Sequence, residues 1–195
     1  MSQYHLNVDR VVLDTSFFIN PQIEEKTLST EKAIEIFVNF AKKEERHIVF
    51  YIPLSVLKEL SKYVSEDYTL LLEASTICRA PRKLGLVIPV QVLYDYIEDM
   101  RNRVNKGLRV AEEAARSLEP EDVKIRKLRE KYREALREGT IDSVEDLDVL
   151  FLAYEVDGLL VSNDKGLLRW AEKLGIRSMC SEKFWRLILQ NTPKY

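Results

Sequence analysis

A chain of 195 residues has room for one domain with its own core and a small insertion, which excludes two full domains. Hydrophobic residues make up 46% and charged ones 32%, with 6 Gly and 6 Pro, a composition that excludes a disordered or fibrous chain and favours a helix-rich globular one. The net charge of -2 conceals a polarity, because Arg79 to Glu138 carries 15 Lys/Arg against 11 Asp/Glu and the acidic excess lies elsewhere.

Arg10 to Leu13 (RVVL) predicts a buried strand that ends at Asp14-Thr15-Ser16, and the stretch to Pro21 reads as polar. From Thr30 the apolar positions Ala33, Ile34, Phe37, Val38 and Ala41 recur at helical spacing, and His47 to Ile52 reads as a second strand ended by Pro53. Leu54, Leu57, Leu60 and Val64 mark a helix carrying Glu59; Tyr68 to Ile77 reads as another, and Leu86 to Ile88 as a short strand. Pro89 opens a long helical tract, with Val92, Leu93, Tyr96, Ile97 and Met100 on one stripe and the basic run Arg101, Arg103, Lys106 and Arg109 after it. Pro120 breaks the tract, a second helix runs from about Asp122 to Arg137, and Gly139 stops it.

The alternating pattern then resumes. Ser143 and Asp146 resemble a capping box before a buried helix through Val156 that Gly158 stops. Leu159 to Val161 is a strand ending at Ser162-Asn163-Asp164; a helix over Leu167 to Leu174, a strand over Ile176 to Met179 and a helix over Glu182 to Leu189 follow. This order predicts a three-layer α/β/α fold with a central parallel sheet across residues 1–195, interrupted by a two-helix insertion at 90–139. Tyr94, Tyr96 and Tyr132 read as core or subunit packing, and Phe184 with Trp185 as the seal of the last helix.

The acids carry the chemistry. Asp14 and Asp164 both follow apolar strands, at the edge where an open α/β sheet places its ligands. Asp142 and Asp146 are four residues apart at a helix entry, Asp148 lies two further on, and Glu59 sits on the helix after the second strand. Each has a plainer role open to it: helix-dipole complement for Asp142 and Asp146, a cap for Asp164, a turn for Asp14. Two carboxylates ~5 Å apart repel by about 3 kcal/mol at an effective dielectric near 20, so a pocket of them needs a cation. All-oxygen ligands without His or Cys select Mg²⁺ or Mn²⁺, which points to phosphodiester chemistry.

No apolar run approaches the length of a membrane span, the N-terminus lacks a signal-peptide pattern, and the expected location is cytoplasmic. Cys78 and Cys180 lie far apart and only two histidines occur, which disfavours zinc sites and Ser-His-Asp catalysis. The nucleotide-binding and hydrolase motifs GxGxxG, GxxxxGK[ST], GxSxG and HExxH are absent, so no nucleotide cofactor is expected.

VVLDTS (11–16), Glu59, DLDVLFLA (146–153) and LVSND (160–164) resemble the PIN-domain nuclease pattern. The 18 residues from Asp146 to Asp164 suit the usual PIN helix-to-strand spacing and favour Asp146 over Asp148 as the central helix ligand. VLDTSFFINPQ, RNRVNKGLRVAEEAAR and LREKYREALREGTIDSVEDLDVLFLAYEVDGLLVSNDKGL are similar to the minimal protein-only ribonuclease P family, called HARP and earlier termed RNA-ligase-partner proteins. The resemblance implies a PIN-like metallonuclease that removes the 5′ leader of precursor tRNA with Mg²⁺ or Mn²⁺ and assembles from dimers into a large, dodecamer-like homo-oligomer. It places Asp14, Asp142, Asp146, Asp148 and Asp164 on the family's acidic positions, with Glu59 on the general PIN acid. It also implies that the paired helices protrude and engage tRNA. There, Arg126, Arg129, Arg133 and Arg137 form a basic stripe flanked by Lys127 and Lys131, and Arg101, Arg103, Lys106 and Arg109 lie on the preceding helix. Stitching of the stripe by Glu130 and Glu134 is the plainer alternative. A toxin-type PIN ribonuclease acting on other RNA and a non-catalytic partner of an RNA ligase remain as alternatives.

Overall fold

The computed structural model describes residues 8–23, 26–43, 47–137, 141 and 143–190. Among them, strands β1 (Arg10–Leu13), β4 (Val49–Ile52), β5 (Ile77–Cys78), β6 (Leu159–Ser162) and β7 (Ser178–Cys180) form one parallel sheet in the order β5-β4-β1-β6-β7. A short antiparallel pair, β2 (Gln22–Ile23) with β3 (Lys26–Thr27), stands apart from it. The chain builds outward from β1 in one direction through β4 and β5, then returns to its other side for β6 and β7. β1 and β6 therefore flank the point where strand order reverses, where a parallel α/β sheet opens a crevice at its carboxyl edge.

Val11, Val12 and Leu13 alternate between the two sheet faces and all have zero exposure, so helices cover both faces. On one side, α6 (Val144–Glu155) packs on β1 and β6, with α2 (Leu54–Leu60) and α7 (Lys165–Lys173) against it. Elsewhere an aromatic cluster fills the core. Phe17 stacks on Trp185 at 4.6 Å between ring centroids and meets Phe18, Phe37 and Phe184 edge-on. Phe37 belongs to α1 (Thr30–Ala41), Phe184 and Trp185 to α8 (Ser181–Gln190), and the Trp185 Nε1–H donates to the Phe17 carbonyl at 2.9 Å. The stretch after β1 is thus a 3-10 turn, Thr15–Phe17, whose Phe17 anchors the core, and not a polar loop. A helical pattern and a short apolar run do not distinguish it.

Two readings of the sequence are corrected. The helix after α2 is α3 (Glu66–Glu73), and Ile77 lies not in it but in the edge strand β5. Leu86 to Ile88 forms no strand, and Val87 is almost fully exposed. Two residues at a sheet edge have too short a pattern to outweigh the helical run before them, whereas the exposed Leu-Val-Ile triplet mimics a strand.

The chain divides into two compact units, Met1–Leu86 with Ser143–Tyr195, and Val87–Asp142. The second holds α4 (Gln91–Arg116) and α5 (Glu121–Arg137), packed antiparallel. Lys127 pairs with Glu119, and Lys131 with Glu113 at 3.4 Å. Gly107 is buried beneath the Tyr132 ring, which a Cβ at that position would approach to 2.7 Å. Tyr132 therefore packs within the hairpin while remaining partly exposed, whereas Tyr94 is 67% exposed and takes no part in this chain's core.

Candidate active site

Asp14 leaves β1 at the switch point and is buried, 7% exposed. Its Oδ1 accepts the Thr15 amide at 2.7 Å and starts the 3-10 turn; its Oδ2 accepts the Ser16 hydroxyl at 2.6 Å and the Ser162 hydroxyl at 2.7 Å. Each hydroxyl oxygen in turn accepts a backbone amide, Asn163 N–H to Ser16 Oγ and Asp164 N–H to Ser162 Oγ, both at 2.9 Å. Since an amide only donates, the two hydroxyl protons point to Asp14, an arrangement that favours its ionised form. Burial opposes this and prevails, and the Asp14 carboxyl titrates above the usual Asp range. No cationic side chain pairs with it among the described residues.

Glu59 and Asp164 adjoin the Asp14 network through hydroxyl groups, and Asp146 and Asp148 lie on α6 with commitments of their own. Glu59, on α2, accepts the Thr15 hydroxyl at 2.6 Å, one residue from Asp14. Asp164 caps α7, its Oδ1 accepting the Leu167 amide at 2.8 Å, and keeps its second oxygen free of that bond. Asp146 lies half-buried in the first turn of α6, its amide capped by Ser143 Oγ at 3.0 Å, on the helix that packs on β1 and β6. Asp148 is buried and pairs with Lys83 at 3.3 Å. Asp142 lies outside the described residues. Among those residues no three Asp, Glu, His or Cys side chains close to metal-binding distance.

The donor set fits a hard divalent cation in its chemistry: carboxylate and hydroxyl oxygens at a switch point, around a buried carboxylate that lacks a cationic partner. Glu59, bonded to Thr15, and Asp164, whose amide donates to Ser162, are the carboxylates tied to the Asp14 network. Sequence reasoning missed Ser16, Ser162 and Asn163. Their signal was present as a mirrored pair of patterns, Asp-x-Ser after β1 and Ser-x-Asp after β6.

The basic residues of the helical unit also divide. Arg126, Arg129 and Arg133 are exposed and have no carboxylate partner among the described residues, so the Glu130 and Glu134 stitching does not form. Lys127 and Lys131 are used across the hairpin instead. Arg103 is partly buried and donates to the Ile141 carbonyl at 2.9 Å, whereas Arg101, Lys106 and Arg109 are exposed. The Arg137 side chain lies outside the described residues.

A parallel sheet in the order β5-β4-β1-β6-β7 with carboxylates at its switch point, together with a match of residues 10–192 to the family model of PINc domain ribonucleases, defines a PIN-type endoribonuclease. Three curated relatives span almost the whole chain. The RNA-free ribonuclease P of Thermodesulfovibrio yellowstonii is 45% identical over 188 residues, covering 92% of this chain and 93% of its own. That of Pyrococcus furiosus is 42% identical over 184 residues, covering 92% of each. That of Halorhodospira halophila is 42% identical over 193 residues, covering 93% of this chain and 90% of its own. The chain belongs to the RNA-free ribonuclease P family.

Proposed function

We propose that this endoribonuclease removes the 5′ leader of precursor tRNA by hydrolysing one phosphodiester, leaving a 5′-phosphate on the mature tRNA. The observation that carries the reading is the buried Asp14 at the switch point, with Asp164, Glu59 and Asp146 on the elements around it. Asp14, Asp146 and Asp164, with Glu59, would hold Mg²⁺ or Mn²⁺, which supplies an activated water and charge neutralisation at the phosphate. The protein's own part is orientation. The Ser16 and Ser162 hydroxyls orient the Asp14 carboxylate and favour its ionised form against burial, and the Thr15 hydroxyl orients Glu59. Asp148 then acts through α6 and its pair with Lys83.

The helical unit, residues 90–139 in the sequence reading, serves as the RNA-engaging arm. Exposed Arg126, Arg129 and Arg133, with Arg101, Lys106 and Arg109, offer charge that contacts phosphates without reading bases. Self-association into a large homo-oligomer built from dimers is supported by an apolar stripe on α4, where Leu93, Ile97, Met100, Val104 and Leu108 are 37–64% exposed. No helix among the described residues is long and apolar enough to cross a membrane. Free Cys78 and Cys180 suit a reducing, cytoplasmic setting.

The test is incubation of purified protein with Mg²⁺ and a labelled precursor tRNA, an unstructured RNA serving as the competing substrate. Release of an intact leader from the tRNA, abolished by EDTA and by Asp146→Asn, is expected. Equal cutting of unstructured RNA, or no release at all, overturns the reading. Light scattering on the same sample reads the oligomeric state.

A further inference from the structure

A groove of about 580 Å³ runs along the outside of α7 toward β7, away from the Asp14 network. Its start is Lys165, the residue after Asp164, and its wall is one face of α7 at helical spacing: Lys165, Leu168, Arg169 and Glu172. The other wall is the turn into β7, with Ile176 and Arg177. Because β6 and β7 are parallel neighbours, α7 must run back from the carboxyl edge of the sheet, so the groove leads from the candidate site down the flank of the domain.

Its lining has three cations against one acid, Glu172. Leu168 and Ile176 give it an apolar floor, and it contains no aromatic ring. The Arg177 guanidinium is fixed at the rim by the Asp157 carbonyl at 3.3 Å. A cationic trough without a stacking platform suits a polyanionic strand bound by its backbone, irrespective of base. From Lys165 to Glu172 the helix rises about 10 Å, enough for roughly three stacked nucleotides at 3.4 Å each.

We propose that this groove holds the 5′ leader, with Lys165, Arg169 and Arg177 on the phosphates immediately upstream of the scissile bond. The inference rests on the leader-removal reading and adds to it a leader-binding subsite separate from the helical unit. The leader is therefore bound as a strand in its own right, and affinity for substrate depends on its length.

The test uses full-length protein and precursor tRNAs with leaders of one, four and eight nucleotides, plus a one-nucleotide-leader series with extended 3′ trailers. Binding is measured with and without cleavage, across salt. Wild-type protein binds the four-nucleotide leader more tightly than the one-nucleotide leader. In Lys165→Ala/Arg169→Ala that gain collapses, with about tenfold weaker binding of the longer leader and a salt slope smaller by about 1.4 for two lost single-strand contacts. Lys165→Arg/Arg169→Lys restores the gain, because charge and not shape is used. A gain that survives the double alanine variant, or one that follows trailer length instead, overturns the groove assignment. A protein that binds leaders through these residues yet releases none overturns the processing reading and leaves the groove standing.

Discussion

The hydroxyl oxygens of Ser16 and Ser162, separated by 146 residues in sequence, lie 3.3 Å apart over a single oxygen of Asp14. Two adjacent strand ends are thereby locked together through one buried carboxylate. Strand pairing sets the register, since the Asp14 amide donates to the Val161 carbonyl at 3.1 Å. The serines then convert that register into the orientation of one carboxylate.

Asp14→Asn should remove cleavage together with the fall in stability that metal-free wild-type protein shows as pH rises toward neutral. Burial lifts the Asp14 pKa despite the bonds from Ser16, Ser162 and Thr15. Between the ordinary Asp range and the raised value, the folded state keeps a proton that the unfolded state has released. Stability therefore falls as pH rises through that window, and the neutral amide abolishes the fall. Thermal scans from pH 4 to 8 check it: the Tm of the wild type should fall across that range and that of the variant should not.

Ser162→Ala should shift the acid limb of the pH–rate profile upward. The hydroxyl donates to the Asp14 carboxylate while its own oxygen accepts the Asp164 amide, so it stabilises the ionised form most. Its loss leaves burial less opposed, so the pKa of Asp14 rises further and more alkaline solution is needed for activity. A hydrogen bond to a charged group contributes about 1.5–3 kcal/mol, enough to move the limb by about one unit or more. An unchanged limb with a lowered plateau would instead indicate loss of position alone.

These serines mark the limit of what the sequence discloses. Val11 to Leu13 and Leu159 to Val161 announce buried parallel strands by continuous apolar character, and an acid directly after such a strand lies at the sheet's carboxyl edge by construction. The helix holding Asp146 is equally legible, since Ser143 caps it as its spacing implies. What a serine does at a strand end depends on which strand becomes its neighbour, and strand order is absent from local pattern. The same holds for Asp148, whose partner Lys83 is far away in sequence, and for Phe17, whose core partners Phe37, Phe184 and Trp185 come from distant helices. Of the acids, position along the chain is readable; whether each oxygen is spent on a cap, an ion pair or the site is not.

Glu155→Gln should loosen the segment after β5 without touching the carboxylate edge. Glu155, near the end of α6, pairs with Arg79 at 2.9 Å and Arg82 at 3.4 Å and accepts the Arg82 amide at 2.8 Å. Burial pushes its pKa up, but the Arg79 bond, the Arg82 amide and the two guanidinium charges hold it below the usual Glu range. The stability it contributes is therefore present above the ordinary Glu pKa and lost as pH falls through the lowered one. A loss of about 1 kcal/mol in urea unfolding at pH 7, shrinking toward pH 3, is expected, with the rate of cleavage little changed.

Arg129→Ala/Arg133→Ala and Lys127→Ala/Lys131→Ala differ by two positive charges each, yet should behave differently. The arginines are exposed without carboxylate partners among the described residues, so their loss leaves the hairpin intact and removes contacts available to phosphate. Binding of precursor tRNA should weaken with a salt slope reduced by about 2, uniformly across sequences. The lysines are tied to Glu119 and Glu113 across the hairpin, and their removal leaves those acids unpaired on the same surface. The main effect there is a lower melting temperature of the helical unit, by an amount typical of exposed ion pairs, about 0.2–1 kcal/mol each. Filter binding over a salt series, paired with circular dichroism melts of the full chain, separates the two. Equal salt slopes for both double variants would show that net charge alone, rather than the stripe at Arg126, Arg129 and Arg133, governs RNA binding by this unit.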